Sequence, residues 1–146
     1  MHDLAKARRT SLYKWTDLYE TIEIKRFDFD AGYDHEEDFT HYNDFIESMI
    51  NEMRKQCGFC EYVKNQTGIT VLGFKECTEY CPVKDECNSI NTVIENEIEN
   101  IKWASGKPLT KENIEDMLLV LEDKALEIKE FLDHLSLTEL DWRLPH

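Results

Sequence analysis

The sequence is notable first for what it lacks. It has no apolar run of about 18 residues or more, so we expect no transmembrane helix. Its first residues are basic but no apolar segment follows them, so we expect no secretory signal and a cytoplasmic location, where thiols stay reduced. It contains no glycine-rich phosphate loop, no GxSxG elbow and no HExxH pair. No internal repeat of 20 to 50 residues is visible, which argues against a repeat protein.

Positive charge is also scarce. The 146 residues include 17 Lys and Arg against 31 Asp and Glu, which gives a formal net charge of −14. Such a surface repels phosphate backbones, so direct binding to nucleic acid or to an anionic membrane is disfavoured. We expect instead a protein partner that binds an acidic helical surface. The 41% apolar and 33% charged content suits amphipathic helices, each with an apolar stripe and a charged face.

Four segments carry apolar residues at spacings of three and four, which predicts four amphipathic helices. The first covers about residues 4–21 and the second about residues 36–56. The third is expected to start at Cys81-Pro82, with proline in the first helical position, and the fourth after Thr110 as N-cap. The stripes consist of Leu12, Trp15, Tyr19 and Ile22; Phe39, Tyr42, Ile46, Met49, Ile50 and Met53; Cys87, Ile90, Ile94, Ile98 and Ile101; and Ile114, Met117, Leu118, Leu121, Ala125, Ile128, Leu132 and Leu135.

The fold class we predict is therefore mainly α, a small bundle of about four helices in one domain over residues 1–146. Residues 27–32 read as a loop. Residues 57–81 show no helical period and read as an irregular insert, in which the β-prone residues 69–74 could form a short hairpin. The tail, residues 136–146, either docks through Trp142 or frays. The stripes also resemble coiled-coil seams, so a homodimer is kept as an alternative.

All five cysteines lie in one segment, residues 57–87, with the spacing Cys57-x2-Cys60-x16-Cys77-x3-Cys81-x5-Cys87. A Cys-x2-Cys turn brings two thiolates to one ion, and Gly58 is expected to relieve crowding in that turn. Zinc takes four thiolate or imidazole ligands, and a [4Fe-4S] cluster takes four cysteines. The segment therefore predicts a metal site with five candidate ligands for four positions, binding either Zn²⁺ or a [4Fe-4S] cluster.

Two other interpretations of the cysteines stay open. Cys57 and Cys60 could form a redox dithiol. Cysteine is also often a small buried hydrophobic residue, and Cys87 lies on the predicted apolar stripe of the third helix. If that helix buries Cys87, then Cys87 is the spare cysteine.

Two resemblances favour a metal site. The segment CPVKDEC, residues 81–87, resembles the end of the cluster motif of endonuclease III-type iron–sulfur glycosylases, which implies that Cys81 and Cys87 share one cluster and that Cys77 is spare. The helix–hairpin–helix of those enzymes, with its lysine and aspartate, is absent here. The order and number of the cysteines are similar to those of small phage-encoded proteins with a CxxC, then Cys-Pro, then a further cysteine. That resemblance implies a metal-binding module without an assigned activity.

Two further resemblances concern redox chemistry. A helical bundle carrying CGFC is similar to flavin-linked sulfhydryl oxidases, and residues 87–93 resemble their flavin motif, with Ile90 at the position of its histidine. CGFC also resembles the thioredoxin dithiol, but a long helical stripe precedes it here rather than a strand. We therefore predict a small acidic metal-binding protein with an accessory or regulatory role rather than an enzyme. The alternative is a thiol–disulfide redox enzyme that uses Cys57 and Cys60, with or without a flavin as in the flavin-linked sulfhydryl oxidases.

Overall fold

Helices dominate the part of the chain that the computed structural model describes, which comprises residues 2–31, 40–55, 58–69, 79–100 and 110–143. The helices of these ranges are α1 (His2–Asp30), α2 (Thr40–Arg54), α3 (Gly58–Thr67), α4 (Lys84–Val93), α5 (Lys111–His134) and α6 (Leu137–Arg143). Helix α4 continues directly into a π-helical stretch, Ile94–Glu99. The same ranges contain no β-strand. The predicted mainly-α bundle is confirmed.

Helix α5 forms the centre of the bundle. Thr110 caps its N-terminus, where the side-chain oxygen accepts a hydrogen bond from the Asn113 backbone N–H (3.2 Å). Every residue of the predicted stripe from Ile114 to Leu135 is buried. Helix α1 packs most extensively along α5 and also contacts α3. Sequence periodicity predicted this helix well because its apolar stripe is long and uninterrupted.

Helix α1 is longer than predicted, and the expected loop at residues 27–32 is wrong as far as Asp30. The reason is tertiary packing, which outweighs the weak local pattern. Phe29 is 1% exposed and its ring meets that of Tyr42 edge to face, with centroids 4.9 Å apart. One turn earlier, Arg26 forms ion pairs with Asp30 on its own helix and with Glu122 on α5. These contacts stabilise the last two turns as helix.

The expectation of an irregular insert is also wrong for residues 58–67, which form α3. Phe59 and Val63 lie four residues apart and are buried against the bundle, and α3 packs on α1. Such a short stripe gives too weak a periodic signal to be recognised in a sequence. Gly68 ends the helix with φ of +72°, a conformation that glycine adopts readily. The predicted hairpin falls mainly on residues 70–74, which lie outside the described residues.

Helix α4 begins at Lys84, three residues after the predicted start at Cys81. The Cys87 N–H donates to the Val83 carbonyl oxygen (3.1 Å), and Pro82 belongs to the turn before the helix. The proline therefore does not occupy the first helical position. Its place in a turn is compatible with its fixed φ angle.

The tail docks, but not through Trp142, which is 81% exposed. Residues Leu137–Arg143 form α6, and its buried side chain is Leu140. Arg143 donates to the Pro82 carbonyl oxygen (3.3 Å) and pairs with Glu86 (3.0 Å). The tail is thus joined to the start of α4. No helix in the described ranges is long and apolar enough to span a bilayer.

Candidate functional site

A cavity of about 270 Å³ lies beside two of the cysteines. It lies where the C-terminal end of α2 and the first turns of α3 and α4 meet the sides of α1 and α5. Its apolar wall consists of Trp15, Met53, Phe59, Val83, Ile90, Ile128, Phe131 and Leu132. Residues from five helices thus converge on one space.

Two of the five predicted site residues line this cavity, namely Cys60 and Cys87. Cys60 lies in the first turn of α3 and is half-buried, and Cys87 lies in the first turn of α4 and is exposed. Cys81 is half-buried just ahead of α4 and packs against the core. Cys57 and Cys77 lie outside the described residues. Cys60 and Cys87, which come from near the two ends of the cysteine segment, therefore line one cavity.

The local setting of the CGFC motif differs from the prediction in two respects. The motif was expected to form a turn in the irregular insert, whereas Gly58 begins α3 and Cys60 is its third residue. Burial of Cys87 on the stripe of the third helix is wrong, because that side chain is exposed while Ile90 is buried. Both cysteines near the cavity consequently lie at helix N-termini, where unpaired amides and the macrodipole favour a thiolate.

Gly58 is required by packing between helices rather than by a strained turn. Its φ is not positive, since Gly68 is the residue with positive φ among the described glycines. A Cβ placed on Gly58 would lie 2.5 Å from the Ala7 carbonyl oxygen and 2.9 Å from Thr10 Cβ. Because the nearest atom belongs to the backbone of α1, a side chain here would push α3 away. Gly58 thus fixes how closely the start of α3, with Cys60, approaches α1.

Charged groups around the cavity are arranged in pairs. Lys55 contacts Glu52 (2.6 Å), and Arg54 contacts Glu99 (3.2 Å). Lys14 donates to the Lys55 carbonyl oxygen (2.7 Å), which joins α1 to the end of α2. Two of the three cations in the lining, Arg54 and Lys55, are therefore paired with carboxylates, and Lys14 donates to a backbone oxygen.

Glu86 and Arg143 form the pair on the α4 side of the cavity. One Glu86 oxygen, Oε1, accepts from Arg143 Nη1 at 3.0 Å. Burial of the Arg143 guanidinium opposes its charged form, but the hydrogen bond and the charge of Glu86 outweigh this and raise the pKa of Arg143 above its ordinary value. The Arg143 guanidinium therefore stays charged beside Glu86.

Two polar atoms on the cavity wall are buried without a hydrogen-bond partner among the described residues. They are Ser11 Oγ, on a residue that is 1% exposed, and Glu86 Oε2. Neither residue was a candidate from the sequence. The signal that could have found Ser11 is its position on the apolar face of α1 between Ala7 and Trp15, where a small polar residue interrupts the core pattern.

No group of three or more His, Cys, Asp or Glu side chains that could hold a metal ion occurs within the described ranges. The predicted four-cysteine site involves Cys57 or Cys77 together with the described cysteines, so it stays a prediction. No protein-family model, curated protein or solved structure matches this chain.

Proposed function

We propose that this chain is a small metal-binding protein with an accessory or regulatory role, in which the cysteine segment binds one zinc ion or one [4Fe-4S] cluster. The observation that carries the proposal is the shared cavity wall of Cys60 and Cys87. These thiols come from opposite ends of the segment, and a metal that bridges them would join the start of α3 to the start of α4. The geometry therefore supports a clip across the insert.

The ligand set we propose is Cys57, Cys60 and Cys87, with either Cys77 or Cys81 as the fourth ligand. Cys57 precedes Cys60 by the two-residue spacing with which one turn supplies two ligands to zinc. Thiolate donors suit both zinc and an iron–sulfur cluster, so the donor chemistry alone does not separate them. When bound, the metal would stabilise the folded cysteine segment, because metal-binding free energy then adds to folding free energy.

Anaerobic purification followed by absorption spectroscopy tests the proposal. A featureless visible spectrum with bound zinc supports the structural zinc version, and a broad band near ~400 nm indicates a [4Fe-4S] cluster with thiolate ligands. Cys57→Ser should lower both metal content and thermal stability. Among Cys77→Ser and Cys81→Ser, one should be tolerated, and that residue is the spare. If all five serine variants keep the metal content and melting temperature of the wild type, the proposal is wrong.

A thiol–disulfide redox enzyme is the second candidate, and one observation favours it. Gly58, Phe59 and Cys60 of the CGFC motif are the first residues of α3, and a thiol of a Cys-x2-Cys pair at a helix N-terminus has a lowered pKa that suits redox exchange. In that reaction Cys57 and Cys60 would form a disulfide and pass two electrons and two protons to an acceptor such as a flavin. A flavin spectrum in the purified protein, with no metal, would select this candidate over the first.

The partner we propose is a protein with a basic surface. Exposed carboxylates are numerous on α4 and the π-helical stretch, including Asp85, Glu95 and Glu97, and α5 adds Glu112, Glu115 and Asp116. Attraction between such a surface and a basic partner weakens with salt. A homodimer, the other possibility, would be seen by sedimentation of the purified protein and would not dissociate as salt is raised if apolar stripes form the interface.

A further inference from the structure

The cavity beside Cys60 and Cys87 has the size and lining of a small-molecule site. An apolar cavity of ~150 Å³ binds a single benzene ring, and this one measures about 270 Å³. It thus has room for about two fused rings. Three aromatic side chains, Trp15, Phe59 and Phe131, contribute to the wall, and aromatic pockets with a few polar atoms are typical of ligand sites.

Polar atoms on the wall indicate what else the ligand carries. Glu86 Oε2 is buried and has no hydrogen-bond partner among the described residues, although Oε1 of the same carboxylate is bonded to Arg143. Ser11 Oγ, on α1, is likewise buried and has no hydrogen-bond partner among the described residues. A buried acceptor left unpaired costs free energy, and a carboxylate can only accept. A ligand that donates one hydrogen bond to Glu86 would remove that cost.

Charge on the ligand is disfavoured. An ammonium group would approach Glu86 beside Arg143, which already neutralises it at 3.0 Å. A carboxylate would lie against Glu86 itself, while Arg54 and Lys55 on the rim are paired with Glu99 and Glu52. Lys14, the third cation in the lining, already donates to the Lys55 carbonyl oxygen. Like charges at close range repel more strongly in a partly desolvated cavity than in water. The lining therefore selects for a neutral molecule.

We propose that this cavity binds a neutral bicyclic aromatic molecule with one N–H or O–H donor, of the size and chemistry of indole, and that the donor pairs with Glu86. The inference does not require a bound metal, and because Cys60 and Cys87 line the same cavity, metal content is determined on the same preparation that is titrated. Metal content and ligand binding are separate measurements on the same purified protein, so one proposal can fail without the other.

The first experiment is calorimetric titration of the purified full chain with indole and, in parallel, with benzofuran. Benzofuran has the same size but has an oxygen in place of the N–H donor. Indole should bind at one site per chain and about tenfold more tightly than benzofuran, which is the usual effect of one hydrogen bond to a charged group. No binding of indole up to its solubility limit would overturn the proposal, and equal binding of the two would overturn the role of Glu86.

Variants separate the acceptor from general effects on folding. Glu86→Met should abolish the preference for indole over benzofuran. Arg143→Met breaks the same ion pair but keeps the acceptor, so it should retain the preference. A preference that survives in Glu86→Met contradicts the proposed pairing.

Filling the cavity tests its location. Ile128→Phe on α5 should weaken binding of both ligands at least tenfold, whereas Leu119→Phe, on the exposed side of the same helix, should leave both unchanged. Far-UV circular dichroism checks that each variant is folded. If Ile128→Phe is not, Ile90→Phe fills the cavity from α4 and replaces it. Normal binding in a folded, cavity-filled variant would show that the ligand binds elsewhere.

Discussion

Replacing Gly58 by alanine tests whether the close approach of α3 to α1 holds the start of the cysteine segment in place. The added Cβ would lie 2.5 Å from the Ala7 carbonyl oxygen, and ordinary contact begins at 3.4 Å. Helix α3 must therefore withdraw by up to ~0.9 Å (3.4 − 2.5), and a gap of that size removes a quarter to a half of the contact energy across an interface. The buried side chains on the moving helix are Phe59 and Val63.

Burial of each of these two side chains contributes about 1.5–3 kcal/mol, so the loss is about 1–3 kcal/mol. Alanine regains at most about 1 kcal/mol through its higher helix propensity. Because Gly58 is the first residue of α3, where that gain is smallest, we expect Gly58→Ala to lower the free energy of unfolding by about 1–3 kcal/mol. Urea unfolding followed by circular dichroism measures this, with Gln66→Ala, an exposed position on the same helix, as a control that should change little. A Gly58→Ala protein as stable as the wild type would refute the close-packing explanation.

Three further predictions concern the bundle. Arg26→Met should lower the free energy of unfolding by about 1–3 kcal/mol, because Glu122, which is 7% exposed, loses its ion-pair partner. A double-mutant cycle with Glu122→Met that shows no coupling energy between the two residues would contradict this. Thr110→Ala should lower the free energy of unfolding in urea by about 1 kcal/mol, since the N-cap hydrogen bond from the Asn113 backbone N–H is lost. An unchanged urea midpoint would show that the cap does not stabilise the protein. A hydrogen bond to Glu23, together with burial and nearby carboxylates, raises the pKa of Tyr19 to about 12 from 10.0. The neutral phenol is therefore favoured in the folded state, and stability that is complete below pH 10 should fall as the pH rises from 10 to 12. When the free energy of unfolding of wild type and Tyr19→Phe is measured between pH 10 and 12, the variant should lose less stability than the wild type. An identical loss in both proteins would be evidence against the raised pKa of Tyr19.

The fold class could be predicted because the stripes of α2 and α5 are long and regular. Every residue of the α5 stripe is buried, and so are all five described residues of the α2 stripe, from Tyr42 to Met53. The N-cap at Thr110 could also be predicted, because threonine stands directly before the apolar stripe. These features depend on local spacing, which a sequence displays directly.

Features that depend on contacts between distant residues could not be predicted. The extension of α1 past Phe27 rests on Tyr42 and Glu122, which are remote in the sequence. Helix α3 is held by two buried side chains and by a glycine whose neighbour is the Ala7 carbonyl. Where such contacts decide the boundary of a turn or helix, the neighbouring residues in the sequence do not indicate it.

The candidate site was predictable in part. Clustering of the cysteines drew attention to residues 57–87, and the structure adds that Cys60 and Cys87 share a cavity wall. The rest of the cavity could not have been inferred, because its walls come from five helices and include Ser11 and Glu86, whose residue types are common at protein surfaces.

Elemental analysis of the anaerobically purified wild-type protein tests the central claim most directly. A bound metal should be present at about one zinc ion per chain, or as iron with an equal amount of acid-labile sulfide for a [4Fe-4S] cluster, and a chelator that removes it should lower the melting temperature. A protein that contains neither metal, takes up neither on reconstitution, and melts at the same temperature with and without chelator would contradict the account.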